Sequence, residues 1–99
     1  MILHTVNKSP FNHSSFEECL RVCSAGSSIL LIEDGVYAAK NHTKYAALIE
    51  QHSDIRFYAL VADIKARGLS DQLSDTVTVI DDVEFVTLST QHKSVQSWY

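Results

Sequence analysis

Cys19 and Cys23 are the residues of this chain best suited to covalent chemistry. They stand four apart, the spacing that puts two side chains on one face of an α-helix. Phe16 and Leu20 share that face, so the four residues recur at i, i+3, i+4 and i+7. A free cysteine in such company is a small packed hydrophobe. As a thiolate it is a nucleophile, and that requires a lowered pKa. Cys19 falls at the edge of the first helical turn, where the helix dipole gives little help. Glu17 and Glu18 precede it and oppose a thiolate, while Arg21 and His13 favour one only if the fold brings them close. Spacing favours the packed reading, and the residues alone leave the role of Cys19 open.

Other chemistries find no support. The five histidines (His4, His13, His42, His52 and His92) form no H-x-x-x-H pair. Cys19 and Cys23 lack a second cysteine pair to complete a zinc site, so no metal is expected. Gly26, Gly35 and Gly68 are too far apart to make a phosphate cradle, and no G-x-x-x-x-G-K-[ST] or G-x-S-x-G occurs. No cofactor is therefore expected. Glu33 and Asp34 form a carboxylate pair, but neighbours on a strand point oppositely. The favoured reading has Asp34 capping the next helix while Gly35 makes the turn. Asp63 and Asp81-Asp82 are likewise expected to cap helices. Trp98 and Tyr99 either anchor a neighbouring subunit or pin the chain end to its own domain.

The elements that position these residues follow from pattern. Residues 2–6 are short and β-branched and predict a strand. Ser15 with Glu18 gives the S-x-x-E capping box that opens a helix, and Gly26 stands where it should stop. Residues 29–32 are uniformly apolar, as in a strand buried on both faces. Residues 36–39 and 45–52 read as helical, broken at Asn41-His42. Residues 55–61 predict a third strand, 63–67 a short helix stopped by Gly68, and 76–80 a fourth strand. Asp81 or Asp82 caps a last helix over 83–91, and 94–99 reads as a tail. This alternation predicts an α/β fold in one domain, 1–99. Its form is a small three-layer sandwich with a mainly parallel sheet of four or five strands flanked by helices. Ligands on such sheets sit at the carboxyl ends of the strands, here near Asn7, Glu33, Asp63 and Asp81.

Composition narrows the function further. The 45% hydrophobic content suits a packed core in 99 residues, and two cysteines are too few for a disulfide framework. A net charge of −4 argues against direct nucleic-acid binding. The start of the chain has no signal-peptide pattern, and the longest aliphatic run, 29–32, is far short of a membrane span. A cytoplasmic protein with reduced thiols is expected.

Longer blocks then point to a family. Leu3-His4-Thr5-Val6-Asn7-Lys8-Ser9-Pro10-Phe11 and Leu30-Leu31-Ile32-Glu33-Asp34-Gly35-Val36-Tyr37-Ala38-Ala39 resemble the TusB/DsrH family. Tyr58-Ala59-Leu60, Asp63, Ala66-Arg67-Gly68, Ile80-Asp81, Phe85-Val86 and Trp98 extend the resemblance along the chain. The resemblance implies a subunit rather than a free-standing enzyme. Its partners would be TusC-like and TusD-like subunits in a heterohexamer that passes persulfide sulfur to a TusE-like acceptor. The sulfur would end at position 2 of the wobble uridine of tRNA. The related alternative is a DsrEFH complex, with DsrE-like and DsrF-like partners and a DsrC-like acceptor, serving sulfur oxidation. A third reading is a purely structural subunit. The resemblance puts the principal sulfur-carrying cysteine on the TusD/DsrE-type partner. Cys19, in Glu18-Cys19-Leu20, is similar in position to the cysteine of DsrH-like members, which makes it the candidate accessory persulfide site. Cys23 matches no family motif.

Overall fold

The computed structural model describes all residues from Met1 to Tyr99. Five strands form one sheet: β1 (Ile2–Val6), β2 (Ser28–Leu31), β3 (Arg56–Leu60), β4 (Val77–Ile80) and β5 (Ser94–Trp98). They are ordered β4-β3-β2-β1-β5 and every pairing is parallel. Four helices connect them: α1 (Ser15–Val22), α2 (Lys44–Gln51), α3 (Val61–Ala66) and α4 (Asp82–Gln91), with a 3-10 helix at Glu33–Ala39. No helix is long and apolar enough to cross a membrane. The three-layer α/β sandwich expected from alternation is the fold observed.

The strand order explains how the helices divide between the faces. From β1 to β4 the chain steps across the sheet in one direction, then returns to pair β5 with the far side of β1. Right-handed crossovers of opposite direction lie on opposite faces. Accordingly the large core cluster joins Val6, Ile29, Leu31, Phe57 and Ala59 of the sheet to Phe16, Cys19, Tyr45, Ile49 and Ile64 of α1 to α3. The other face carries α4 alone, with Leu88 against Leu3, Leu30 and Ile80. Each fully buried aliphatic or aromatic side chain contributes about 1.5–3 kcal/mol, so the first face carries most of the packing energy.

Several local expectations are corrected. Residues 94–99 are not a tail, because Ser94–Trp98 pairs in register with Ile2–Val6. The strand was illegible because it lies at the sheet edge, where its burial pattern shows no apolar alternation. α1 is not opened by a Ser15 capping box. Its N-cap is Ser14, whose hydroxyl donates to the Glu18 carboxylate at 2.6 Å, with no side-chain bond to the backbone. The helix also stops before Gly26, since Cys23 is already extended. Residues 33–39 wind as a 3-10 helix. Asp81 does form a full capping box with Glu84 at the start of α4.

Gly35 is fixed by close approach. A Cβ placed there would overlap the carbonyl oxygen of Val6, so no other residue fits without moving β1. This contact locks the start of the 3-10 helix against the carboxyl end of β1.

Candidate functional site

Two groups of side chains merit attention. The first is a polar rim at the carboxyl ends of β1, β2 and β3. Asn7 donates through Nδ2 to Glu33 Oε2 at 3.3 Å, and the Glu33 backbone N–H donates to Asp63 Oδ2 at 2.8 Å. Arg67 donates through Nε and Nη2 to Asp34 Oδ1, each at 2.9 Å, and its Nη1 lies 3.6 Å from Asp63 Oδ1. The fold thus gathers Asn7, Glu33, Asp34 and Asp63, as expected, while Asp81 is occupied by its own cap. Two capping expectations fail. Asp34 is held by Arg67 instead of capping a helix. Asp63 reaches across to the backbone of Glu33, which sits at a positive φ of 49° and needs an acceptor there. An arginine shared by two carboxylates is a structural clamp, not a pair poised to share a proton. Arg67 was named in sequence only as part of a family block, because its partners lie 33 and four positions away.

The second group surrounds the thiols. Cys19 is fully buried (0% exposed), and Cys23, at the end of α1, is partly exposed. Their sulfurs stand 3.8 Å apart. The two thiols split in character: the hydrogen bond to Cys23 and burial push the Cys19 thiol strongly up, whereas the hydrogen bond from Cys19 lowers Cys23. Burial and the charge of Asp54 work against that lowering. Of the two, Cys23 is the easier to ionise and the one solvent reaches. The leading influences on the thiols are each other, burial and Asp54, not the Arg21 and His13 considered from sequence.

β1 supplies a third member. His4 points to the same face as Val6, which places its ring against the end of α1. One ligating atom each from His4, Cys19 and Cys23 lie within 4.8 Å of one another. His4 is 3% exposed, and burial lowers its pKa, so the imidazole is held neutral. Its Nδ1 accepts the indole N–H of Trp98 at 3.1 Å. Trp98 therefore pins β5 to its own domain, while Tyr99 is 82% exposed. Sequence spacing missed His4 because it stands 15 residues before Cys19. The usable signal was an imidazole inside a short strand that is otherwise apolar or β-branched.

Comparison with known proteins gives consistent matches. Residues 8–95 match the family model described as DsrH like protein. Over 97 residues the chain is 38% identical to Protein TusB of Escherichia coli K12, spanning 98% of this chain and 100% of that protein. The same identity and coverage relate it to Protein TusB of Shigella boydii serotype 18. The crystal structure of the ychN protein from E. coli superposes with a TM-score of 0.86 at 18% identity, covering 98% of this chain and 97% of that one. The solution structure of protein Tm0979 from Thermotoga maritima gives 0.68 at 27% identity, covering 94% and 95%.

Proposed function

The chain belongs to the DsrH-like family that includes TusB, and on that premise we propose that it is a subunit of a sulfur-relay complex serving tRNA modification. In this reading it assembles in the cytoplasm with TusC-like and TusD-like subunits into a TusBCD-like heterohexamer. The complex passes persulfide sulfur to a TusE-like acceptor, and the sulfur ends as the 2-thio group of the wobble uridine. The observation that carries this is the 38% identity to Protein TusB, which spans 98% of this chain and 100% of that protein.

The physical features agree with a subunit role. The face covered by α4 alone leaves Val83 and Val86 exposed at 75% and 63%, which suits burial by a neighbour better than life in water. The negative net charge suits protein partners more than RNA. The clamp at the strand ends has no acid–base pair. In this reading Cys19 is the accessory persulfide site; because its sulfur is fully buried behind the more exposed Cys23, it would carry sulfur only after the end of α1 opens locally. The Cys19 thiolate would attack the outer sulfur of a donor's persulfide, breaking the donor's S–S bond and releasing the donor cysteine as its thiolate.

The presence of Cys19 favours one second reading, a DsrH-like subunit of a DsrEFH complex in sulfur oxidation. The test for both is genetic and chemical. Removing the gene should abolish wobble-uridine 2-thiolation, read by mass spectrometry of digested tRNA, and the plasmid-borne chain should restore it. Thiolated tRNA that persists unchanged would sink the first reading. Within the assembled complex, a persulfide donor should add about 32 Da, one sulfur atom, to this chain if it carries sulfur. Cys19→Ser should remove that adduct. An unmodified chain in an active complex would leave it a structural subunit.

A further inference from the structure

We infer that His4, Cys19 and Cys23 form a binding site for a soft divalent cation of the zinc class. The two sulfurs already stand 3.8 Å apart, which is the separation of two thiolates about 2.3 Å from one tetrahedral zinc ion. The imidazole of His4 brings the third ligand atom within 4.8 Å of both. Two thiolates and one imidazole with a vacant fourth direction is a donor set that zinc takes up, and calcium and magnesium, which require oxygen, do not.

Burial and charge agree with the geometry. Cys19 and His4 lie inside the fold and Cys23 reaches its margin, which gives an ion one way in. On binding, both thiols lose their protons to solvent and the imidazole gives a lone pair. The product carries two negative sulfurs and one divalent cation, so no net charge is left buried. Cys23 also sits at the carboxyl end of α1, the negative end of the helix dipole, which favours a cation and penalises a bare thiolate. Asp54, whose charge bears on Cys23, acts in the same sense.

Trp98 makes the site observable. Its indole now holds His4 Nδ1. A metal taking Nδ1 displaces that hydrogen bond, and a metal taking Nε2 requires Nδ1 to carry the proton and the indole to turn away. In both cases the chain's one tryptophan changes surroundings.

The proposal needs no sulfur donor or partner subunit, so it stands apart from the sulfur-relay reading and is tested separately. The full-length chain, reduced with a phosphine under anaerobic conditions, is titrated with cobalt(II) alone. One equivalent should produce thiolate-to-cobalt charge-transfer absorption, tetrahedral visible bands and a change in Trp98 emission. Added zinc should displace the colour and protect both thiols from alkylation. Cys23→Ser and His4→Gln should each weaken binding by about 100-fold, at the upper end of what even outer-sphere changes cost. Cys23 and the edge of the site tolerate substitution more easily than Cys19, and zinc protection in the unaltered chain needs no variant. Absence of charge-transfer bands, binding unchanged in Cys23→Ser, or alkylation of both thiols despite saturating zinc would each overturn the proposal.

Discussion

The indole Nε1–H of Trp98 donates to Nδ1 of His4 at 3.1 Å, joining two residues 94 positions apart in the chain. This bond ties the last strand to the first and sets the orientation of the buried imidazole. Trp98→Phe keeps most of the apolar contact but leaves His4 Nδ1 buried without a donor. The expected cost is about 1–3 kcal/mol, read as a shift of the denaturation midpoint at constant m-value.

Removing Ser94 to Tyr99 should do far more than trim an end. It strips β5 from β1 and opens an edge that runs beside the buried Leu3 and Val6. An open apolar edge pairs with other chains. The truncated protein is expected to lose its cooperative transition or to aggregate, measured by light scattering alongside circular dichroism. A truncated chain as stable as the parent would refute the structural role of β5.

The two thiols should differ in reactivity. In the reduced, metal-free protein, an alkylating reagent is expected to modify Cys23 first, since Cys19 is fully buried. The ratio of rates should be at least about tenfold, which only about 1.4 kcal/mol of local opening supplies. Peptide mapping over time settles the order.

Gly35→Ala drives a methyl group into the Val6 carbonyl, a backbone atom with no freedom to yield. Overpacking of side chains costs about 1–3 kcal/mol, and a backbone clash belongs at or above the top of that range. Calorimetry of the variant should show a clearly lowered Tm, whereas Gly68→Ala meets no neighbouring atom and pays only for its positive φ of 65°.

The clamp around Arg67 should prove unequal. Asp34 is 61% exposed, so Asp34→Ala is expected to cost less than about 0.5 kcal/mol. Asp63→Ala removes the acceptor of the Glu33 N–H as well as an arginine partner, and should cost about 1–3 kcal/mol. Equal losses in chemical denaturation would contradict this division.

What the sequence determined by itself is everything that depends on near neighbours. The β-branched and apolar runs announced β1 to β4, an aspartate at 81 or 82 announced the start of α4, and the i, i+4 spacing put Cys19 and Cys23 on one helix face. Alternation then implied a parallel sheet, because helical crossovers leave few other arrangements. Only the tertiary structure decided what parallel pairing brings together over long distances. It made a strand of Ser94–Trp98, whose exposed edge position erases any hydrophobic pattern. It turned Asp63 from a presumed helix cap into the acceptor for Glu33, and it set His4 beside the two sulfurs. Local propensity cannot encode such meetings, since each is fixed by strand order and register rather than by the residues on either side.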